Sequence, residues 1–244
     1  MRPTVVWRTQ IGAGYSGVAV ADGKAITMFE DGEQFIAAFD VATGEELWRR
    51  RIANSYPGRD GSWSGPISTP FVHRNLVVLL EPWGQMSALD ITDGEAVWSV
   101  HLTYDLGAPR PAYGFGSSPL VVDGTLIVHG GEMPGTVLGF DVETGEHRWA
   151  VGNEPVVAPS PVVLSMTGKP MVVASGAEHV FGIDAGTGDV IWEYAHRGTG
   201  NRGQGSLVPV GLDGDRIFLA HDDDASQVVG LRAGVEGAKV EQVW

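Results

Sequence analysis

No cysteine occurs among the 244 residues. Disulfides, thiolate nucleophiles and Cys-ligated zinc are therefore excluded within this chain. Basic residues are scarce: 16 Lys and Arg stand against 30 Asp and Glu, giving a formal net charge of −14. Nucleic-acid binding needs clustered cations to neutralise phosphates, so no nucleic-acid partner is expected. The longest apolar stretches, such as Leu76 to Leu80, are far too short to span a bilayer, and no direct membrane insertion is expected. No apolar h-region follows Met1, so no signal peptide is visible. The composition holds 35 glycines and 14 prolines but no G-X-Y period, which suits many turns and excludes collagen. With 43% hydrophobic residues the chain has enough apolar surface for a folded core.

One phrase recurs four times. It runs Ala38-Phe39-Asp40-Val41-Ala42-Thr43-Gly44 and then Trp48. It returns with Asp90, Gly94 and Trp98, then Asp141, Gly145 and Trp149, then Asp184, Gly188 and Trp192. Glycine always follows the aspartate by four positions and tryptophan by eight. The carboxylate suits an Asx-type turn, accepting N–H groups two or three residues on. The glycine supplies positive φ. The tryptophan then falls on the following strand and packs between neighbouring units.

Hairpins precede these phrases. Asp22-Gly23, Asp123-Gly124 and Asp213-Gly214 each separate two apolar runs, a strong two-residue hairpin signal. Each unit thus holds four strands, A to D, and the spacing of roughly 43–52 residues matches propeller blades. The expected fold class is all-β: a β-propeller of four-stranded antiparallel blades. Five blades are expected, at about 16–51, 66–101, 117–151, 158–195 and 205–244, plus one extra N-terminal strand at 4–9 with Trp7 as its repeat tryptophan. In the fifth unit Arg232 replaces the aspartate. Ser-Thr-Pro at 68–70, Ser-Ser-Pro at 117–119 and Pro-Ser-Pro at 159–161 are placed on strand A, whose free edge tolerates proline. No helical periodicity is found. Because the extra strand competes with strand D of the fifth blade, residues 1–244 are expected to form a single, incomplete propeller domain.

The phrase A-x-D-x-x-T-G-x-x-x-W resembles the repeat of the PQQ-like β-propellers. That family includes quinoprotein alcohol dehydrogenases and BamB-like outer-membrane assembly factors. Residues 112–128 look especially like the BamB-like, non-enzymatic branch. The resemblance implies an eight-bladed ring, so about three further blades, and a periplasmic or otherwise extracytoplasmic location. It implies a protein-binding or scaffolding module with another protein as partner and no cofactor. The alternative it leaves open is a fragment of a PQQ-dependent alcohol or sugar dehydrogenase, which would use PQQ with calcium. Such enzymes typically use a vicinal cysteine pair and a metal held by Glu, Asn and Asp. Neither maps onto this chain.

Other motifs have plain readings. Gly12/Gly14/Gly17 and Gly198/Gly200/Gly203 match G-x-G-x-x-G, yet both lead into strands, where a dinucleotide site needs a helix N-terminus. The repeat aspartates sit in identical turns, which favours capping over calcium. The seven histidines form no H-E-x-x-H pair and no G-x-S-x-G elbow exists, so no catalytic residue is assigned. The D–A loops carry residue types enriched at binding hot spots: Tyr56, Arg59 and Trp63, then Tyr104, Arg110 and Tyr113, then Arg197 and Arg202. Trp83 lies on a B–C loop that opens on the same face. These nine residues are the candidate partner-binding face.

Overall fold

A computed structural model describes residues 4–242, apart from 60, 63, 156–159, 167–168, 196–207, 212–215, 221–227 and 234–239. The described residues contain five four-stranded antiparallel sheets, each with its strands in chain order. The first comprises β1 (Val18–Ala21), β2 (Lys24–Asp31), β3 (Glu33–Asp40) and β4 (Glu46–Asn54). The second comprises β5 (Phe71–His73), β6 (Leu76–Leu80), β7 (Gln85–Asp90) and β8 (Ala96–His101). After the short α1 (Leu102–Leu106) come β9 (Leu120–Val122), β10 (Thr125–His129), β11 (Val137–Asp141) and β12 (His147–Val151). The fourth sheet is β13 (Val162–Met166), β14 (Lys169–Ser175), β15 (His179–Ile183) and β16 (Val190–Ala195). The fifth is β17 (Val208–Gly211), β18 (Arg216–Ala220), β19 (Val228–Ala233) and β20 (Val240–Gln242).

Local chemistry accounts for the turns. Asp22-Gly23 and Asp123-Gly124 hold positive φ at both residues, as a two-residue hairpin of the primed type requires. In the repeat turn, Asp40 Oδ1 accepts the N–H groups of Ala42 (2.9 Å) and Thr43 (2.8 Å). Asp90 Oδ1 accepts Thr92 N–H at 2.7 Å, and Asp184 Oδ1 accepts those of Gly186 and Thr187. Gly44, Gly94, Gly145 and Gly188 all lie at φ between +74° and +78°. Asp141 is also paired with Arg148 across its hairpin.

The chain clusters into two compact units. One is Met1–Leu102 with Ala112–Pro119 and Glu143–Gly145; the other is Thr103–Pro111 with Leu120–Val142 and Glu146–Trp244. In the first unit, Ile26, Met28, Ile36, Ala38 and Trp48 of sheet one bury against Val77, Leu79, Leu89 and Ile91 of sheet two. In the second, Ile127, Val137 and Trp149 bury against Val172, Ala174, Phe181 and Ile183. The opposite face of that fourth sheet packs Met171, Val173, Val180 and Trp192 with Ile217. Alternate residues of β14 thus feed two cores, which explains its continuous apolar run. Each fully buried side chain of this size contributes about 1.5–3 kcal/mol.

Three of the four repeat tryptophans reach the next repeat turn. A Cβ at Gly94 would stand 2.7 Å from the Trp48 ring, at Gly145 2.7 Å from Trp98, and at Gly188 2.6 Å from Trp149. Nε1 of Trp48 donates to the Ile91 carbonyl (3.0 Å) and that of Trp149 to the Ala185 carbonyl (3.1 Å). The repeat glycine therefore serves both the turn and the neighbouring indole. Trp7 fills the equivalent slot, 2.7 Å from a Cβ at Gly44, with its Nε1 on the Val41 carbonyl at 2.7 Å.

Three expectations need correction. Residues 4–9 carry the repeat tryptophan but form no strand ladder among the described residues; Trp7 is held instead by its indole bond to the Val41 carbonyl, and the isolated Ala13–Glu30 bridge follows. Pro70, Pro119 and Pro161 stand immediately before β5, β9 and β13 rather than within them, where a residue without an N–H costs no ladder bond. The loop after β8 contains the single turn of helix α1.

Candidate functional site

In the first unit the loops after β4 and β6 and the segment before β9 meet. Tyr56 is buried, at 8% exposure, while Trp83 is half-buried. Their rings meet edge to face with centroids 5.0 Å apart and planes at 76°, a favoured aromatic geometry. Trp83 Nε1 also points to the Asn54 carbonyl at 3.4 Å. Arg59 Nη1 donates to the Ala112 carbonyl at 3.2 Å, and the guanidinium lies 5.7 Å from the centre of the Tyr113 ring. Arg59 and Tyr113 are exposed, so a cation and a phenol stand open to solvent on the same loops that hold the aromatic pair. Gly114 permits this approach: a Cβ there would stand 2.8 Å from both the Tyr56 hydroxyl and the Pro82 carbonyl oxygen. Of the predicted residues, the structure thus gathers Tyr56, Arg59, Trp83 and Tyr113.

Tyr104, on α1, is 83% exposed, and Arg110 is also exposed; both belong to the second unit. Trp63, Arg197 and Arg202 lie outside the described residues. Gly12 and Gly17 of the first glycine motif are close-approach positions: a Cβ at Gly12 would collide with the Glu30 carbonyl and one at Gly17 with Thr69. The second glycine motif lies outside the described residues. A cavity of about 340 Å³ in the first unit is lined by Gln10, Ile11, Gly12, Phe29, Asp31 and Arg49, none of them a predicted site residue.

Three buried carboxylates were not anticipated. Glu30, at the end of β2, accepts Ser55 Oγ and the Tyr56 N–H, both at 2.8 Å. Glu81, just after β6, accepts the N–H groups of Trp83 (2.8 Å) and Gln85 (2.6 Å). In the second unit Glu154 accepts the N–H groups of Glu178 (2.6 Å) and His179 (3.1 Å), and its other oxygen meets His179 Nδ1 at 2.6 Å. Their exposures are 9%, 1% and 8%. Two of them carry a sequence signal: Glu30 and Glu81 each directly follow the apolar run of a strand B.

Among the described residues the chemistry of the donor set does not fit a quinone–metal centre. The repeat aspartates spend their carboxylates on turns or on Arg148, and the chain has no cysteine. Among the described residues no three His, Asp or Glu side chains converge as a metal site. His129 is 1% exposed with neither ring nitrogen partnered among the described residues, and burial pushes its pKa down to about 4. It is a neutral core residue.

A family model described as outer membrane protein assembly factor BamB matches residues 32–224. The chain belongs to the BamB family. It is 26% identical over 193 residues to the outer membrane protein assembly factor BamB of Burkholderia pseudomallei (strain K96243), covering 77% of this chain and 45% of that protein. The chain thus spans about half the length of that relative. Among solved structures it is similar to BamB from Moraxella catarrhalis, with a TM-score of 0.62, 18% identity, and coverage of 94% of this chain and 60% of that one. It is also similar to quinohemoprotein alcohol dehydrogenase from Comamonas testosteroni, with a TM-score of 0.59, 16% identity, and coverage of 88% and 44%. At these identities the structural likeness establishes the fold, a β-propeller of four-stranded blades, which the PQQ-like repeat had implied.

Proposed function

We propose that this BamB-family chain is a non-catalytic, protein-binding scaffold that acts outside the cytoplasm in outer-membrane protein assembly. The observation that carries the reading is the loop cluster of a family member: an exposed Arg59–Tyr113 contact on the same loops as the packed Tyr56–Trp83 pair. Arginine and aromatic side chains seated on a packed base have the composition of a binding hot spot. The exposed Tyr104 and Arg110 of the second unit extend the set of candidate contacts. The formal charge of −14 favours a protein partner over nucleic acid.

The test is capture of detergent-solubilised outer-membrane proteins by the immobilised chain, followed by cross-linking. Replacing Arg59, Trp83 and Tyr113 by alanine should lower capture at least tenfold, a loss within the range of hot-spot truncations, while the chain still melts cooperatively. Undiminished capture by the triple variant would overturn the reading.

A further inference from the structure

The geometry points to Glu30 and Glu81 as positioning residues that set the aromatic base of the candidate binding face. The inference rests on the binding reading above. Each ring of the Tyr56–Trp83 pair is anchored through its own backbone N–H, and each N–H ends on a different buried carboxylate. Glu30 Oε2 takes that of Tyr56, and Glu81 Oε2 takes that of Trp83, both at 2.8 Å.

Both acids are fixed by their own backbones. Glu30 exchanges two hydrogen bonds with Ala13 (2.8 and 2.7 Å), and its side chain lies close to Gly65, which donates its N–H to the Tyr56 carbonyl at 3.0 Å. Glu81 N–H donates to the Gln85 carbonyl, and its carbonyl accepts the Gly84 N–H at 2.9 Å. The adjacent Pro82 carbonyl accepts Phe115 N–H at 3.0 Å, next to the Gly114 approach. A charged acceptor makes hydrogen bonds shorter and stronger than a neutral one, and its burial is tolerated because its oxygens are met by donors. The result is a rigid aromatic base on the loops that carry Arg59 and Tyr113, which lowers the ordering cost of binding.

The two acids differ in one testable respect. Both oxygens of Glu81 face backbone N–H donors, whereas one oxygen of Glu30 faces a hydroxyl. A glutamine at 81 must turn its NH₂ against an N–H. At 30 the Ser55 hydroxyl can rotate to accept it.

The experiment is amide hydrogen exchange on the full chain, read at Tyr56, Trp83 and Gln85, with β3 amides as the internal standard. Glu81→Gln should accelerate exchange about tenfold at Trp83 or at Gln85, whichever N–H the new NH₂ faces, the effect of losing one charged hydrogen bond, and leave β3 unchanged. Glu30→Gln should leave Tyr56 within about threefold of wild type. Glu81→Gln should also lower capture of solubilised outer-membrane proteins as much as Trp83→Ala does. Should Glu81→Gln not fold, Glu81→Asp, which withdraws the carboxylate by one methylene, serves with the same expected direction. Unchanged exchange at both Trp83 and Gln85 overturns the proposal. So does raised exchange with full capture while Trp83→Ala abolishes capture, and the binding reading then survives. Full capture by Trp83→Ala overturns the binding reading itself and, with it, any role for the two acids in binding.

Discussion

The indole of Trp48 occupies the space that a side chain at Gly94 would need. A Cβ there would stand 2.7 Å from Cε3, and the indole N–H ends on the Ile91 carbonyl in the same turn. The contact, repeated at Gly145 and Gly188, and not the turn alone makes glycine the fitting residue. Gly94→Ala should therefore cost more than a left-handed alanine, about 3 kcal/mol in all, adding overpacking to the backbone term. Gly23→Ala provides the contrast: its φ is +70° but nothing lies within 4 Å, so about 1 kcal/mol is expected. Urea melts of the two variants measure the difference, and equal losses would contradict the contact argument.

Trp48 is 6% exposed and joins two sheets, so Trp48→Ala should cost about 3–5 kcal/mol. Trp98 makes the equivalent approach to Gly145 but is only half-buried, so Trp98→Ala should cost less than Trp48→Ala. Paired equilibrium melts read the order directly, and a larger loss at Trp98 would refute it.

His129 makes stability pH-dependent. Its folded pKa is lowered by burial from 6.5 to about 4. The unfolded chain thus binds the proton first, so the native state is favoured fully above pH 6.5 and loses that advantage as pH falls towards 4. The loss amounts to roughly 3 kcal/mol relative to a residue that does not titrate. His129→Leu, which places at this strand position the residue type found at Leu80, should flatten the stability profile between pH 6.5 and 4. An unaltered slope would show that the imidazole is not responsible.

Asp40 and Asp90 have carboxyls held below the usual range, chiefly by the N–H of Thr43 and of Thr92 and then by the hydroxyls of the same residues. Their folded pKa values lie below the unfolded ones, so their contribution is complete above about pH 4 and disappears as pH falls through the folded values. Asp40→Asn keeps an acceptor in the turn and should be milder than Asp40→Ala. Chemical denaturation at pH 7 ranks them, and equal losses would remove the turn bonds as the cause.

The repeat was legible because its chemistry is local. Asp40, Thr43, Gly44 and Trp48 lie within nine positions, and the turn bonds they make depend on φ and on side chains two or three residues away. The Asp22-Gly23 and Asp123-Gly124 hairpins were readable for the same reason. The chain alone therefore determined strands, turns and the four-strand unit, including a fifth sheet that pairs although Arg232 replaces the aspartate. It did not reveal that Tyr56 is a buried base and not a surface contact, because that depends on Trp83 and Gly114 arriving from distant segments. Nor did it show that Glu30 and Glu81 are interior acceptors. An acid beside a turn reads as solvated until the packing of other segments removes water from it. Burial is a property of what surrounds a residue, and only the tertiary structure decides that.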